Sequence, residues 1–472
     1  MSIRPHRHRA ITAARFPVNI SLFEPLEPRR FLSSYFFSPT GSDSSGNGTE
    51  QHPWATLVKA DKLTLHPGDD VLFQGGKTFF GNLRLGASGT ASDPITIESY
   101  GSTVATIDAT SGVGIFAHDC GGLTIANLRL VGPGRDKATA DGIQFLNDLA
   151  AGDRLSAINI NEVDVSGFTN GIELDAMPKN GVGKNGYDNV RITNSTLHDD
   201  AINGIFTQGN FSQTSKLYSF TNVQILYDSA YSIYHHADGT DTEDGIQLSD
   251  VNGGLIDHCV AHDNGLSGNG EVGIWAWDSN KITIQFCTSY RNHTGRTDDG
   301  DGFDLDGGDT NCLVQYNHSY DNDGAGYALF QFQYARPYSN NIVRYNSSVD
   351  DGRKNQYGAI DLWNGNGSEG ISNCLIYGNT VHISPSPGAS PSAIQFEDLT
   401  TGILVEDNKF FTTGGVPLVD ILTSQTKLAF KGNQYSSGTG AFRIIQKGKT
   451  YHSVAQWNAA TGQEGNGTPI TG

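Results

Sequence analysis

Residues 312–319 read CLVQYNHS, and the pattern apolar-x-apolar-x-x-Asn-x-small returns as NIVRYNSS (341–348), CLIYGNTV (374–381), ILVEDNKF (403–410) and LAFKGNQY (428–435). Aligning the chain on the Asn position extends the series, at intervals of 25 to 35 residues, to Leu128, Val163, Ser195, Asp228, Cys259, Cys287, Asn317, Asn346, Asn379, Asn408 and Asn433. A repeat near thirty residues with two or three short strands is typical of a β-solenoid, in which each repeat forms one coil.

A second motif, Gly-apolar-x-apolar, precedes each Asn-position strand. Its copies are DGIQFLN (141), NGIELDA (170), NGIFTQG (203), DGIQLSD (244), VGIWAWD (272), DGFDLDG (301), GAIDLWN (358) and SAIQFED (392). Few hairpin signals separate these strands, so we expect each coil to supply one strand to each of two parallel sheets. The asparagines of consecutive coils should then stack and hydrogen-bond to one another. The sequence predicts an all-β fold, a right-handed parallel β-helix of about eleven coils.

The chain divides into four predicted segments. Residues 33–100 form an N-terminal cap, with a short helix in PWATLVKADKL, and the first coils. Residues 101–445 form the β-helix, and residues 446–472 form a C-terminal cap and tail, with a helix in HSVAQWNAATGQE. Residues 1–32 hold six Arg against two Glu and four prolines, so we expect a disordered targeting segment.

Composition and charge exclude several classes of function. The net charge is −19, and since residues 1–32 contribute +4, the remainder carries −23, which disfavours nucleic acid as a partner. No apolar run is long enough to span a membrane. We expect a monomer. The five cysteines form no CxxC and are interpreted as buried free thiols, with a disulfide between Cys259 and Cys287 as the alternative.

Carboxylates are concentrated in TDDGDGFDLDGGDTNC (297–312). Six aspartates fall within twelve residues of this stretch, namely Asp298, Asp299, Asp301, Asp304, Asp306 and Asp309. On an extended strand Phe303 and Leu305 face the core, while Asp304 and Asp306 face outward. A hard cation such as Ca²⁺, which takes six to eight oxygen ligands, would relieve the repulsion. The alternative is a hydrated acidic turn.

The outward positions of the Gly-apolar strands place aromatic residues beside these acids. Trp275, Trp277, Phe330 and Trp363, with Arg353 from a nearby loop, are the candidate substrate-binding residues. Rings and carboxylates in one strip suit a saccharide chain lying across the coils. Alternatively, neighbouring loops cover the rings as an outer hydrophobic patch.

Loops at one corner of successive coils bring further groups to the edge of this strip. They carry Glu271, His293, Arg296, Asp299 and Lys354. Mixed acids, cations and imidazoles beside aromatic residues are what a polysaccharide-cleaving site requires.

Two stretches resemble known families. LEPRRFL (26–32) resembles the LEPRxLL motif that opens many exported proteins of some environmental bacteria. GDGFDLDGG (300–308), followed by LVQYNHSYDNDGAGY, resembles the D-D-G-W-D-L coil of family nine pectate lyases within the wider class of β-helix proteins that act on polysaccharides.

The pectate-lyase resemblance implies that Asp301 and Asp304 hold Ca²⁺, and we add Asp299 and Glu271 to the metal candidates. Two departures stand against the match. Gly300 replaces the first acid, and Ala328 stands where the family has its catalytic Lys.

Three functions are therefore open. The favoured one is a Ca²⁺-assisted lyase that cleaves a uronate polysaccharide by β-elimination, with His293, Arg296 or Lys354 as the base. The second is a glycoside hydrolase that uses two carboxylates from a set of four. That set is Asp301, Asp304, Asp306 and Asp361. The third is a non-catalytic surface protein that binds polysaccharide. Under each of the three, the resemblance of residues 26–32 to the LEPRxLL motif implies an exported protein that is extracellular, on the cell surface or periplasmic.

Overall fold

The chain folds into a parallel β-solenoid, as the repeat predicts. The computed structural model describes residues 33–235, 242–296, 298–365 and 370–465, so the proposed targeting segment lies outside the described residues. The strands of the solenoid pair in parallel, apart from the last pair, Ile444–Gln446 with Lys449–Tyr451, which is antiparallel. Among the described residues, no helix has the length and apolar character needed to cross a membrane.

The Gly-apolar strands form one sheet, here called sheet 1. Its strands are Leu83–Leu85, Ile115–His118, Ile143–Asn147, Asn170–Ala176, Asn203–Gly209, Asp244–Ser249, Val272–Trp277, Asp301–Leu305, Tyr327–Gln331, Gly358–Asn364, Ser392–Phe396, Val419–Ile421, Ile444–Gln446 and Lys449–Tyr451. Each strand is hydrogen-bonded to the equivalent strand of the next coil, so sheet 1 runs along the solenoid.

Strands on either side of the Asn position form sheet 2. They are Ser34–Phe37, Asp70–Gln74, Thr78–Phe80, Ile95–Tyr100, Ala105–Asp108, Leu123–Val131, Arg154–Ser166, Gly186–Thr193, Thr196–His198, Phe220–Leu226, Ser229–Tyr231, Val251–Asp257, Val260–His262, Asn280–Gln285, Thr288–Tyr290, Leu313–Gln315, His318–Tyr320, Ile342–Arg344, Ser347–Val349, Leu375–Tyr377, Thr380–Ile383, Leu404–Glu406, Lys409–Thr412, Ala429–Lys431 and Gln434–Ser436. A third, small sheet contains Tyr338–Ser339, Ile371–Ser372 and Thr400–Thr401.

Helices are short and lie mainly near the ends. The predicted N-terminal helix is a single turn, Leu57–Ala60, and a 3₁₀ turn spans Arg135–Lys137. The C-terminal helix, Val454–Thr461, is capped by Ser453 at its start and by left-handed Gly462 at its end. Trp457 of this helix is fully buried and packs edge-on against Phe430, 5.0 Å between ring centroids, so the helix closes the last coil.

The Asn position forms the predicted ladder. From Asn317 to Asn408, the backbone N–H and the side-chain N–H of each residue donate to the side-chain oxygen one coil later, at 2.9–3.1 Å. Upstream, Cys287 N–H donates to Asn317 Oδ1 at 2.9 Å, and Cys259 N–H donates to Cys287 Sγ at 3.3 Å. All five cysteines are buried and free, so the interpretation as thiols is confirmed and the disulfide is not formed.

A second buried ladder, which we did not predict, lies five residues after the first. Asn264 donates to Asn292 at 3.1 Å, Asn292 to Asn322 at 2.9 Å, and Asn322 to Asp351 at 2.8 Å. Burial raises the pKa of Asp351 to about 7. Two chains of hydrogen bonds therefore run along the solenoid axis, one at the Asn position and one five residues after it.

An aromatic column runs along the outside of the same turn. In five consecutive coils the residue before the Asn position carries an aromatic ring and has a positive φ of 53–61°. These residues are Tyr227, His258, Phe286, Tyr316 and Tyr345, and their ring centroids lie 5.0–5.3 Å apart. Stacking of rings in successive coils offsets part of the strain of this left-handed conformation.

Replacing Asn379 with Ala is expected to lower the free energy of unfolding by about 2–4 kcal/mol, because buried groups left without partners each cost about 1–3 kcal/mol. Asn379 links Asn346, Val343 and Asn408. Chemical denaturation monitored by circular dichroism measures the change. Thr380→Ala, at the exposed neighbouring position, is the matched control and should change stability by less than about 0.5 kcal/mol. Equal effects of the two substitutions would contradict the role of the ladder.

Candidate functional site on sheet 1

The outer face of sheet 1 has the predicted register. Pairings between adjacent coils align one outward position through nine coils. In chain order these residues are Gln144, Glu173, Phe206, Gln247, Trp275, Asp304, Ala328, Asp361 and Gln395. In the second outward row, Ser249 pairs with Trp277, and Phe330 pairs with Trp363. Aromatic and acidic side chains are therefore neighbours on this face.

The acidic coil, residues 298–309, is much more buried than we expected. Asp301 is 0% exposed and Asp304 is 3% exposed, although we had expected carboxylates on an open outer face. The reason is that loops from neighbouring coils cover the sheet. Phe330, Ala328 and Ala325 form a small apolar cluster outside the main core, and Tyr357 and Trp363 pack against it. Ala328, at the position where a Lys was expected, is thus a packing residue.

Asp301 has a structural role at the entry of its strand. Its Oδ1 accepts the backbone N–H of Ala325 in the next coil. Asp244 occupies the equivalent position two strands earlier and accepts the N–H of Val272 at 2.7 Å. Replacing Asp301 with Ala would therefore disturb the fold, contrary to our expectation that this carboxylate lies outside the packed core.

Asp304 has a buried carboxylate oxygen, Oδ1, that lacks a hydrogen-bond donor among the described residues. Burial raises its pKa well above the usual value, and the neighbouring charges of Asp306 and Asp301 raise it further. A group in this position holds a proton at neutral pH unless a ligand supplies positive charge.

Two further acids of the coil have raised pKa values. Burial, followed by the charge of Asp306, raises the pKa of Asp299 to about 8. Burial raises the pKa of Asp306 to about 7, although Gly307 N–H donates to its Oδ1 at 2.6 Å. Neither carboxylate is ion-paired with a Lys or Arg in the part of the chain that the structure describes.

Other acids on this face share the same environment. Burial and the charge of Glu397 raise the pKa of Asp361, and burial raises that of Glu271 to about 7. Glu397 also contributes to the raised pKa of Asp299. We did not predict Glu397 as a site residue, although the aligned repeat places it in the second outward row, one coil after Trp363.

The four predicted metal ligands do not converge on one point. Asp299, Asp301, Asp304 and Glu271 contain no group of three with ligand atoms all within 4.8 Å of one another. Across the described residues, one such group occurs, and it lies elsewhere, at the start of the solenoid.

The three candidate bases have other partners or lie in solvent. His293 Nδ1 lies 3.4 Å from Asp323 Oδ2, and this hydrogen-bonding partner raises the pKa of His293, so the ring tends to keep its proton. Lys354 Nζ donates to the carbonyl oxygen of Thr294. Arg296 is exposed to solvent.

The predicted substrate-binding residues differ in accessibility. Trp275 is 8% exposed and Phe330 is 5% exposed, so their rings are largely covered. Trp277 and Trp363 are half-buried, and the indole nitrogen of Trp277 has no hydrogen-bond partner among the described residues. Arg353 lies in a loop, 3.9 Å from Asp350.

One side of this face is bounded by a buried ion network that the sequence did not reveal. Asp250 contacts Lys184 on one carboxylate oxygen and Arg336 on the other, at 3.2 Å for the latter. Arg336 also lies 3.1 Å from Asp278 Oδ1 and donates to the carbonyl oxygen of Ser212. Five coils are thus tied together beside Trp277, whose ring contacts Phe211 and Phe332 of these loops. The sequence repeat does not show this ion network, because its partners are up to 124 residues apart in the chain.

Comparison with known proteins places the chain within a fold. Residues 180–381 match the family profile described as a right handed beta helix region. No curated protein matches the sequence.

Several solved structures share the fold at low sequence identity. A GH136 lacto-N-biosidase from Eubacterium ramulus superposes with a TM-score of 0.58 at 19% identity, over 84% of this chain and 67% of that one. A mannuronic acid specific polysaccharide family 6 lyase from human gut microbiota gives 0.52 at 12%, over 93% and 92%. The mannuronan C-5 epimerase A-module of Azotobacter vinelandii gives 0.50 at 16%, over 80% and 91%. The protein has the right-handed parallel β-helix fold that its repeat predicted.

Proposed function

We propose that the protein is a glycoside hydrolase that cleaves a polysaccharide on the outer face of sheet 1, with Asp299 as general acid and Asp306 as its carboxylate partner. The observation that carries this proposal is a pair of half-buried acids in one coil, each raised in pKa, and neither paired with a Lys or Arg among the described residues. Glycoside hydrolysis requires one protonated and one ionised carboxyl on either side of the scissile bond.

The roles follow from the order of the two pKa values. Asp299, at about 8, keeps its proton longer and can donate it to the departing glycosidic oxygen. Asp306, at about 7, ionises first and can either attack the anomeric carbon or take a proton from an attacking water. Asp304 is buried, and the charge of Asp306 contributes to its raised pKa.

The surroundings favour a neutral glycan. A body with a charge of −23 and a row of acids on its binding face repels a polyanion. Half-buried Trp277 and Trp363 offer apolar surface to the C–H faces of sugar rings. The β-helix proteins that it resembles include one named as a lacto-N-biosidase.

Asp299→Asn and Asp306→Asn should each lower kcat for release of new reducing ends from a neutral polysaccharide by at least about 100-fold, since proton transfer alone contributes about 10²–10⁴-fold. The matched control is Asp321→Asn, an exposed aspartate in the same kind of left-handed turn, which should keep full activity. Unchanged hydrolysis by the Asp299 variant would refute the assignment of the acid.

The pH dependence of kcat/KM should be bell-shaped, with apparent pKa values near about 7 and about 8 that belong to the pair. Activity is lost below the lower value because Asp306 becomes protonated, and above the higher value because Asp299 loses its proton. Initial rates from about pH 5 to about pH 10 test this, on the premise that these two groups control the reaction. An optimum near pH 4 would mean that the two carboxyls are not perturbed as described.

A Ca²⁺-assisted lyase is the second candidate, and Asp304 favours it. A buried carboxylate oxygen with no partner is relieved equally well by a proton or by a cation. In this case Asp304 and Asp299 would hold Ca²⁺ against the carboxylate of a uronate substrate. The partners of His293 and Lys354 leave this reaction without an evident base.

The dependence of thermal stability on pH and on Ca²⁺ distinguishes the hydrolase from the lyase. Raised carboxyl pKa values stabilise the folded state fully below the unfolded value of about 4, and this stabilisation is lost as pH rises through about 7 and about 8. In a chelating buffer, the melting temperature should therefore fall from about pH 5 to about pH 8.5, and Asp304→Asn should flatten the decline.

Adding Ca²⁺ at the alkaline end gives the deciding measurement. A rise in melting temperature that Asp304→Asn abolishes, together with unsaturated products from a uronate polymer, would favour the lyase. No shift with Ca²⁺, together with new reducing ends from a neutral glycan, would favour the hydrolase. A melting temperature that does not change with pH would contradict both accounts of the buried acids.

A further inference from the structure

Far from the acidic coil, a histidine and two aspartates meet at the same edge of sheet 1. His118 ends the strand Ile115–His118, Asp119 follows it in a left-handed turn with φ of 51°, and Asp148 follows the strand Ile143–Asn147 of the next coil. Since these strands pair in register, successive strand ends bring the three side chains together.

Three ligand atoms converge in this cluster. His118 Nε2 lies 3.3 Å from Asp148 Oδ1 and 3.5 Å from Asp119 Oδ2. The second oxygen of Asp119 accepts the backbone N–H of Asp148 at 3.0 Å, which fixes the direction of its Oδ2. The imidazole stacks on Phe116, with 5.6 Å between centroids and an interplanar angle of 18°, so its orientation is fixed as well.

The contacts differ from those of an ordinary histidine–aspartate ion pair. His118 Nε2 is sealed from water, yet makes no hydrogen bond to any described residue. By contrast, His198 also lies between two aspartates, and its Nδ1 makes a 2.7 Å hydrogen bond to Asp199. The nitrogen of His118 instead lies at similar distances from two carboxylate oxygens, 3.3 and 3.5 Å.

We propose that His118, Asp119 and Asp148 bind a divalent transition-metal ion of the Zn²⁺ class. Ligands about 2.0–2.1 Å from a tetrahedral ion lie about 3.3–3.4 Å apart, close to the separations observed. One imidazole and two carboxylates neutralise a divalent charge, and imidazole favours Zn²⁺ over Ca²⁺. The side chains remain 23–42% exposed, so a water molecule can complete the coordination.

Lys179 is the competing cation. Its Nζ lies 3.8 Å from Asp148 Oδ2, whereas His118 approaches Oδ1, and the side chain of Lys179 is exposed. The lysine can therefore remain in place when the ion binds to Oδ1.

The metal cluster and the acidic coil are separate sites. Asp304 lies six strand spacings from His118 along sheet 1, which corresponds to roughly 29 Å at the usual strand spacing. The ion would hold two neighbouring coils together and take no part in the cleavage reaction. Failure of this proposal therefore leaves the proposed function unaffected.

Titration of the full chain with Zn²⁺ tests the site by calorimetry, and Co²⁺ provides a visible spectrum that reports nitrogen and oxygen ligation. We expect about one equivalent to bind, and His118→Gln and Asp148→Asn each to weaken binding by at least about tenfold. His198→Gln, the matched histidine between two aspartates, should bind as the wild type does. Circular dichroism of each variant verifies that the fold is retained.

Two results would overturn the proposal. One is the absence of saturable Zn²⁺ binding to the wild-type protein, which would make the cluster an ion pair alone. The other is binding of equal affinity in folded His118→Gln, which would place the ion elsewhere. If His118→Gln fails to fold, Asp148→Asn decides, because it retains the size of the side chain while removing its charge.

Discussion

Axial hydrogen bonding between identical positions of successive coils is the constraint on which the structure depends. A polar group in the interior of a solenoid has no water to bond, so it must find its partner one coil above or below. Asparagine meets this requirement because its oxygen can accept two N–H groups while its nitrogen donates to a third atom. The ladder therefore sets the register of both sheets. Every outward side chain, including those of the acidic coil, inherits its position from it.

Features that repeat in each coil could be predicted from the sequence. The Asn position, the outward row from Gln144 to Gln395, and the buried thiols of Cys259 and Cys287 all follow from one alignment of the chain. The second ladder shares the same period, and its residues could have been found by reading five positions beyond each Asn. A single alignment defines these contacts because each involves equivalent residues in adjacent coils.

Features that occur once could not be predicted in this way. Arg336 contacts Asp250, 86 residues away, and nothing in either neighbourhood marks the pair. The burial of Asp304 depends on loops whose paths carry no periodic signal. No feature of the sequence around His118, Asp119 or Asp148 marks a site. They form a cluster only because the fold places two neighbouring strand ends side by side. The sequence could thus assign each residue to a face of the solenoid. The burial, protonation and hydrogen-bonding partners of each carboxylate could be learned only from the three-dimensional structure.

The acidic coil combines two properties that usually exclude one another, namely burial and a high density of carboxylates. Asp301 reconciles them by accepting a backbone N–H, as Asp244 does elsewhere. Asp304 has no such compensation and lies directly beside Asp306. A protein retains an arrangement of this kind at a cost in stability, which is typical of sites selected for chemistry rather than for folding.

The ion network around Arg336 changes how the solenoid can come apart. In a simple repeat protein each coil touches only its two neighbours, so the ends can fray while the middle persists. Here Arg336 reaches the carbonyl oxygens of Ser212 and Leu217, 124 and 119 residues earlier, and so fastens coils that are not adjacent. Separation of any one of them must also expose the charges of Asp250 and Lys184. The central coils thus form one cooperative block, which protease or mechanical force would release in a single step while terminal coils peel away singly.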